Sequence, residues 1–241
     1  MKLWGISDVG AVRKQNQDAF YLTPHQASHP FAVVCDGMGG AKAGNVASQI
    51  AVDSFAQTME EGLERDKQDT AELLLAGVGR ANELVRYRAQ MDESCAGMGT
   101  TLVAAVVTDD RVHLVNVGDS RAYHVSQQGI EQITRDHSVV EDMVERGQIT
   151  HEQARLHPKK NLITRALGAE ASVRADLYEV ARKPGELILL CSDGLSNVVT
   201  DQEILFELIH GGAPEEGCQR LLRLALSRGA PDNVTAVLIQ L

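Results

Sequence analysis

The stretch at residues 31–44 reads FAVVCDGMGGAKAG and joins an apolar run to a carboxylate and a group of glycines. Residues 31–35 are apolar and rich in β-branched side chains, which predicts a buried strand. Asp36 follows directly, and three glycines lie within the next four residues (Gly37, Gly39 and Gly40). The aspartate offers hard oxygen to a cation, and glycines let main-chain carbonyls approach it closely. Alone, Asp-Gly after a strand also fits a plain turn, so other acids must decide between the two interpretations.

Composition limits the class of protein. The chain has 241 residues, of which 44% are apolar, enough for a sizeable core in one large domain or two small ones. The formal charge of −10 argues against nucleic acid or an anionic membrane as the main partner. No stretch approaches the roughly 18 apolar residues of a membrane span, and residues 1–14 lack the apolar centre of a signal peptide. We therefore expect a cytoplasmic protein.

The four cysteines are widely spaced and include no CxxC pair (Cys35, Cys95, Cys191 and Cys218). This spacing suggests neither a zinc site nor a disulfide framework. Two of them lie within apolar runs, so we expect buried free thiols.

Periodicity predicts a mixture of strands and helices along the chain. Strands are predicted at residues 3–7, 19–22, 31–35, 100–108, 111–117, 121–126, 130–134, 175–180, 187–191 and 234–241, and helices at 43–59, 70–90, 138–146, 150–156, 200–210 and 214–227. The tight spacing between residues 100 and 134 predicts antiparallel hairpins there. With no repeat or linker in the sequence, we expect residues 1–241 to form a single α+β layered domain.

Four more aspartates stand at the margins of predicted strands. Asp119 and Asp193 follow strands, whereas Asp18 and Asp232 precede them. One such aspartate is ordinary turn chemistry, but five against apolar strands, with Asp36, suggest an assembled site. Carboxylates brought together repel one another unless cations neutralise them.

Ligation by oxygen alone selects Mg²⁺ or Mn²⁺ over zinc. Several carboxylates shared between ions indicate a two-metal centre, which activates water and stabilises in-line displacement at phosphorus. Arg13 lies close to Asp18 in the sequence, and a guanidinium is suited to bidentate phosphate binding. The alternative for Arg13 is a surface arginine in a turn.

Other phosphate-binding and hydrolytic motifs do not fit. Lys42 stands where a dinucleotide fingerprint needs its third glycine, and the following Ala43 excludes a P-loop. Ser192 has no GxSxG elbow around it.

Eight ordered motifs instead resemble one family across nearly the whole chain. They are RKQNQDAF (13–20), VCDGMGG (34–40), GTT (99–101), VGDSRAY (117–123), TRDHS (134–138), LITRALG (162–168), LLCSDGL (189–195) and PDNVT (231–235). The chain resembles the metal-dependent protein phosphatases of type 2C, the PPM family, in their compact bacterial form. The resemblance implies a four-layer α-β-β-α sandwich of two antiparallel sheets flanked by helices. It also implies a binuclear Mg²⁺/Mn²⁺ centre whose bound water attacks phosphoserine or phosphothreonine.

The resemblance also implies a role for each matching residue. Asp36 would bridge two metals, and Gly37 would ligate through its carbonyl. Asp193 and Asp232 would hold the first ion, and Asp18 would serve the second directly or through water. The resemblance further implies a possible third ion held by Asp119 with Asp193, binding of the substrate phosphate by Arg13, and a flap at residues 145–164.

Two departures from many eukaryotic members concern the chemistry. Met38 replaces a histidine proposed as general acid, so a metal-bound water or a flap residue would protonate the leaving oxygen. His157 is the nearest flap candidate, but we expect it to be a plain surface histidine, and for His137 we expect a structural role. Gln17 replaces an acid, which leaves Asp18 as the only carboxylate of the first motif.

The resemblance therefore implies a metal-dependent serine/threonine phosphatase that opposes a bacterial serine/threonine kinase. From the absence of tails and extra domains we expect a monomer. A non-catalytic phosphatase-like binding module is one alternative, but such relatives lose metal-ligating acids. A hydrolase of small phosphoesters is another, because it could use the same centre.

Overall fold

The computed structural model describes residues 1–24, 27–39, 43–64 and 69–241. Gly40 and Lys42, which belong to the motifs at residues 34–44, lie outside these residues. Within the described part of the chain, no helix is both long enough and apolar enough to cross a membrane.

Two antiparallel sheets form the centre of the fold. Over the described ranges the strands are β1 (Lys2–Asp8), β2 (Asp18–Leu22), β3 (Phe31–Met38), β4 (Gly99–Thr100), β5 (Leu102–Val107), β6 (Arg111–Val117), β7 (Arg121–Ser126), β8 (Gly129–Gln132), β9 (Asp176–Ala181), β10 (Leu187–Cys191) and β11 (Val234–Gln240). The first sheet has the order β1-β11-β10-β7-β8. The second has the order β2-β3-β5-β6-β9, with β4 paired to β3.

Helices cover both outer faces of the sheets. The described helices are α1 (Gly44–Leu63), α2 (Thr70–Met91), α3 (Val139–Glu145), α4 (His151–Leu156), α5 (Asp193–Ser196), α6 (Asp201–Ile209) and α7 (Gly217–Ser227). The pair α1 and α2 packs on the second sheet, and α6 and α7 pack on the first. The predicted four-layer α-β-β-α sandwich is therefore confirmed.

The apolar run of β3 is continuous because both of its faces are buried. Phe31, Val33 and Cys35 belong to the core beneath α1 and α2, whereas Ala32 and Val34 face the core between the sheets. The strand β10 divides its residues between two cores in the same way. A strand covered on both sides loses the polar alternation of a surface strand, which explains why these runs were visible in the sequence.

One predicted hairpin is wrong. The pairs β5–β6 and β7–β8 are antiparallel hairpins, but β6 lies in the second sheet and β7 in the first. The chain therefore crosses between the sheets at residues 118–120. Gly118 has a φ of +105°, and a Cβ there would lie 2.6 Å from the Thr101 side chain. This sharp, crowded turn needs glycine and places Asp119 at the crossing.

Two local boundaries also differ from the prediction. The strand β3 continues through Asp36 and Gly37 to Met38, where Gly37 pairs with Thr100 and Met38 with Gly99. The sequence predicted a turn there because glycine is a poor strand former. The single turn α5 was not predicted, since four residues are too few to show a helical period.

The cores that hold these layers include all four cysteines, which are buried with free thiols, as expected for Cys35 and Cys191 in apolar runs.

Two glycines of α2 provide a test of its packing. A Cβ on Gly77 would lie 2.8 Å from the Phe55 ring, whereas a Cβ on Gly79 would have no neighbour within 4 Å. We expect Gly79→Ala to raise the free energy of unfolding by about 0.5–1 kcal/mol, because alanine is the better helix former. Gly77→Ala should lower it by about 1–2 kcal/mol through overpacking.

Urea denaturation followed by circular dichroism measures both changes. The gain in helix propensity is the same in the two variants, so a difference between them reports on packing. Equal stabilisation by both would contradict the packing of α2 on α1.

Candidate active site

The predicted acids meet at one end of the sandwich, because the segments that carry them end or begin there in both sheets. Asp36 of β3 stands opposite Asp18 of β2 in the antiparallel register, where paired residues are about 4.5–5.5 Å apart. Asp193 begins α5 directly after β10, and Asp232 directly precedes β11, the neighbour of β10. Asp119 joins them from the crossing between the sheets.

Four of these aspartates line one cavity of about 520 Å³ together with Arg13 and Gly37 (Asp36, Asp119, Asp193 and Asp232). Asp18 is not part of that lining. Its Oδ2 accepts hydrogen bonds of 2.7 Å from the hydroxyls of Ser192, between β10 and α5, and Thr235, in β11. The structure thus brings all five predicted aspartates together, with Asp18 behind Asp36.

The electrostatics of this end are unfavourable for free carboxylates. Burial raises the pKa of Asp36 well above its ordinary value, and the charges of Asp18 and Asp193 add to the shift. Burial likewise raises the pKa of Asp119 and of Asp193. For Asp18, burial raises the pKa to about 7, against the effect of the Thr235 and Ser192 hydroxyls. Such carboxylates need a proton or a cation as partner.

Within the aspartate cluster, two buried oxygens have no hydrogen-bond donor among the described residues, namely Oδ1 of Asp18 and Oδ1 of Asp193. A buried carboxylate oxygen without a donor is costly unless a cation approaches it. Hard oxygen ligands of this kind fit Mg²⁺ or Mn²⁺.

The carboxylates are spread around the cavity. Over the described ranges, no three Asp, Glu, His or Cys side chains converge closely enough to hold one ion by themselves. This spread fits ions that share ligands and complete their shells with waters and main-chain oxygen, which is the usual behaviour of Mg²⁺.

Each Asp-Gly pair of the site depends on close approach of two backbones. A Cβ on Gly37 would lie 2.0 Å from the Gly44 carbonyl oxygen, and a Cβ on Gly194 would lie 1.9 Å from that of Asn233. Any side chain would therefore separate β3 from the start of α1, or α5 from the segment before β11. The glycines keep Asp36 and Asp193 in place.

Arg13 lies on a loop that Asn233 anchors. The Asn233 side chain donates to the carbonyls of Val9 and Gln15 and accepts from the Gln17 amide, over 2.8–3.0 Å. From this loop the Arg13 guanidinium donates to Asp232 Oδ2 at 2.7 Å, which raises the pKa of Arg13. The Arg13 side chain remains 52% exposed, so the guanidinium is accessible at the edge of the cavity.

His137 is buried below the crossing that carries Asp119. Its Nδ1 accepts from the Gly118 amide at 3.1 Å, so Nε2 carries the hydrogen and donates to Asp176 Oδ2 at 3.1 Å. Burial lowers the pKa of His137, which favours the neutral ring. These contacts support the structural role expected for this residue.

The flap contributes residues other than His157 to the cavity. His157 does not line the cavity, and its Nδ1 accepts from the Lys159 amide. The flap residues that do line the cavity are Asn161 and Ile163.

Sequence reasoning assigned no role to the hydroxyl and amide groups behind the acids. Besides Ser192, Thr235 and Asn233, Thr101 accepts from the Asp36 amide at 3.0 Å through Oγ1 and is joined to Ser120 at 2.7 Å. Thr101, Asn233 and Thr235 fall inside quoted motifs. The sequence signal that could have identified such donors is a hydroxyl residue within an apolar strand, as at Thr235 in β11.

Comparison with known proteins identifies the family. The family model for protein phosphatase 2C matches residues 11–225. A serine/threonine phosphatase, stp, from Listeria monocytogenes is 35% identical over 235 residues, which cover 97% of this chain and 93% of that protein.

Solved structures of serine/threonine phosphatases support the same family. The serine/threonine phosphatase Stp1 from Staphylococcus aureus superposes with a TM-score of 0.93 at 37% identity, covering 100% of this chain and 94% of that one. The catalytic domain of the serine/threonine protein phosphatase PstP, in complex with two manganese ions, gives 0.86 at 37% identity, covering 98% and 96%.

The chain belongs to the protein phosphatase 2C family. It is thus a hydrolase of the metal-dependent serine/threonine protein phosphatase class, as its motifs predicted. The related complex with two manganese ions supports the expected dependence on Mn²⁺ or Mg²⁺.

The raised pKa of Asp18 predicts how stabilisation by Mn²⁺ depends on pH. An aspartate in an unfolded chain titrates near about 3.9, whereas Asp18 titrates at about 7. Without metal, the folded state binds the extra proton between these values, so the free energy of unfolding falls as pH rises through that window. A bound Mn²⁺ would stabilise the charged carboxylates of the cluster in place of the proton. We therefore expect Mn²⁺ to raise Tm by several degrees more at pH 7.5 than at pH 5.5.

Differential scanning fluorimetry with Mn²⁺ and with chelator measures both shifts. In Asp18→Asn the dependence on pH should be weaker, and an equal shift at both pH values in the unsubstituted protein would contradict the prediction.

Proposed function

We propose that this chain hydrolyses phosphoserine and phosphothreonine in proteins at the cavity between Arg13 and the aspartate cluster. The observation that carries the proposal is the placement of an accessible guanidinium beside four buried or half-buried carboxylates in one cavity. The acids alone would repel a phosphate, so the site requires cations to bind its substrate.

The residues are proposed to divide the work as follows. Asp36, shared between two Mn²⁺ or Mg²⁺ ions, and the Gly37 carbonyl would hold the pair, and Asp193 with Asp232 would hold the first ion. When bound, the ions supply an activated water and stabilise in-line displacement at phosphorus. Arg13 binds and orients the substrate phosphate through paired N–H groups.

Asp18 is proposed to serve the second ion through water. Its position behind Asp36 and its two hydroxyl donors support this indirect role, with Oδ1 as the oxygen still available. A third ion at Asp119 and Asp193 is a further proposal. It is supported by the raised pKa of both carboxyls, since burial and mutual repulsion favour a shared cation.

Protonation of the leaving oxygen is assigned to water in the cavity. Met38 has no proton to donate, and no histidine is among the described residues that line the cavity. Asn161 and Ile163 of the flap cannot act as acids at neutral pH.

The remaining expectations concern the cell. A cognate serine/threonine kinase that phosphorylates the same proteins, a monomeric state, a cytoplasmic location and a single domain over residues 1–241 stay predictions of the sequence.

Replacement of the proposed bridging carboxylate tests the function. We expect Asp36→Asn to lower kcat/KM at least about a thousandfold, because several kcal/mol of charge stabilisation depend on the ions it holds. Asp110→Asn, at an exposed turn between β5 and β6, is the matched control and should retain activity. Release of phosphate from p-nitrophenyl phosphate and from a phosphothreonine peptide, with Mn²⁺ or with chelator, provides the measurement.

The same assay separates the alternatives. Absence of turnover with either metal would favour a binding module, and turnover of p-nitrophenyl phosphate far above that of phosphopeptides would favour a hydrolase of small phosphoesters.

Arg13 should act mainly on substrate binding. We expect Arg13→Ala to raise KM about 10–100-fold, as loss of charge-assisted hydrogen bonds predicts, with a smaller fall in kcat. The assay needs saturating Mn²⁺, because Arg13 also contacts Asp232 and its loss could weaken metal binding. Arg80→Ala, which removes an exposed ion pair on α2, controls for loss of surface charge. A fall in kcat at unchanged KM would instead assign Arg13 to the transition state.

A further inference from the structure

Apolar side chains stand at the mouth of the catalytic cavity. Val12, Met38 and Ile163 line the same cavity as Arg13 and Asp36. Val12 is 66% exposed and Met38 is 38% exposed. A single exposed apolar residue is ordinary, but these two and the half-buried Ile163 around one polar cavity form a surface that water covers at a cost. We call these three residues the apolar rim.

The loop side of the rim is held in place from below. Asn233 joins the ends of the loop through Val9 and Gln15, and the Ala11 amide donates to the Ala230 carbonyl at 3.0 Å. Val12 therefore projects from a loop whose backbone is fixed on both sides of it. An exposed side chain on a fixed loop loses little conformational entropy when a ligand covers it.

The flap side of the rim is fixed as well. Ile163 forms a β-bridge with Ser138, and the neighbouring Thr164 amide donates to the His137 carbonyl at 2.7 Å. His137 in turn holds the Gly118 amide beside Asp119. Ile163 is thus positioned relative to the acids by a short chain of hydrogen bonds.

The charges around the cavity are of both signs, so they select no particular charge in the residues that flank the phosphate. Arg13 and Lys14 line the cavity together with Asp36, Asp193 and Asp232. The apolar rim is therefore the feature that selects among flanking residues, because apolar side chains gain free energy when they leave water there. The cavity of about 520 Å³ also has more room than a phosphate group fills, which leaves space for the residues on either side of it.

We propose that the apolar rim binds the apolar side chains that flank the phosphorylated residue of a polypeptide substrate. The proposal rests on the proposed protein phosphatase function and deepens it, since it names a sequence preference of the same site. The occupant is an extended phosphopeptide with its phosphate at Arg13 and its neighbouring side chains on Val12 and Ile163.

The experiment compares two phosphothreonine peptides of equal charge, which differ only in having leucine or serine on each side of the phosphothreonine. We expect kcat/KM with Mn²⁺ to be about fivefold to tenfold higher for the leucine peptide, as burial of a few methylene groups predicts. In the double variant Val12→Thr with Ile163→Thr, the shape is largely kept but the surface becomes polar. The ratio between the two peptides should then fall about fivefold.

Leu156→Thr is the matched control. Leu156 lies on α4 of the flap, is 88% exposed and does not line the cavity, so its variant should keep the ratio of the unsubstituted protein. Thermal unfolding of each variant with Mn²⁺ verifies that the fold and the metal site are retained.

A ratio near one in the unsubstituted protein would overturn the rim proposal, and so would a ratio that the double variant leaves unchanged. Turnover of p-nitrophenyl phosphate without turnover of either peptide would instead overturn the protein phosphatase function itself. The two failures are thus distinguishable.

Discussion

Repulsion among buried carboxylates is the constraint on which the rest of this structure depends. Asp36 faces the charges of four other aspartates, and burial adds to the cost of its own charge. The chain offsets this cost with donors that reach the acids from behind, including the Ser192 and Thr235 hydroxyls on Asp18. Divalent cations would offset the rest of this cost, and cations held beside the accessible Arg13 guanidinium would attract the phosphate of a substrate.

The two-sheet architecture is what makes this gathering possible. Asp18 and Asp36 come from the second sheet, whereas Asp193 and Asp232 flank strands of the first. Since each sheet is covered by helices and packed on the other, the strand ends are the part of each strand left uncovered by a neighbouring layer. The crossing at residues 118–120 adds Asp119, and Gly118 makes that crossing as short as it is.

The sequence predicted most of the strands and helices, and the gathering of the five aspartates, for a physical reason. Strands buried on both faces, such as β3 and β10, appear as uninterrupted apolar runs, and acids directly beside them are conspicuous. Which strands pair with one another was not predictable in the same way. Turns as short as Gly118–Ser120 usually close hairpins, and only the packing of two sheets shows that the chain changes sheet there. The donors behind the acids were missed because one hydroxyl in an apolar strand has no period of its own.

The pairing of β1 with β11 has a consequence for synthesis on the ribosome. The strand β1 has β11 as its neighbour over its full length, from Lys2–Gln240 to Asp8–Val234, although the two lie far apart along the chain. Asp232, Asn233 and Thr235, which hold the arginine loop and the acids together, stand at the start of β11 or just before it. A nascent chain therefore cannot assemble the catalytic centre until translation has passed them. A fragment that ends before residue 232 would therefore lack both the anchor of the arginine loop and one carboxylate of the cavity.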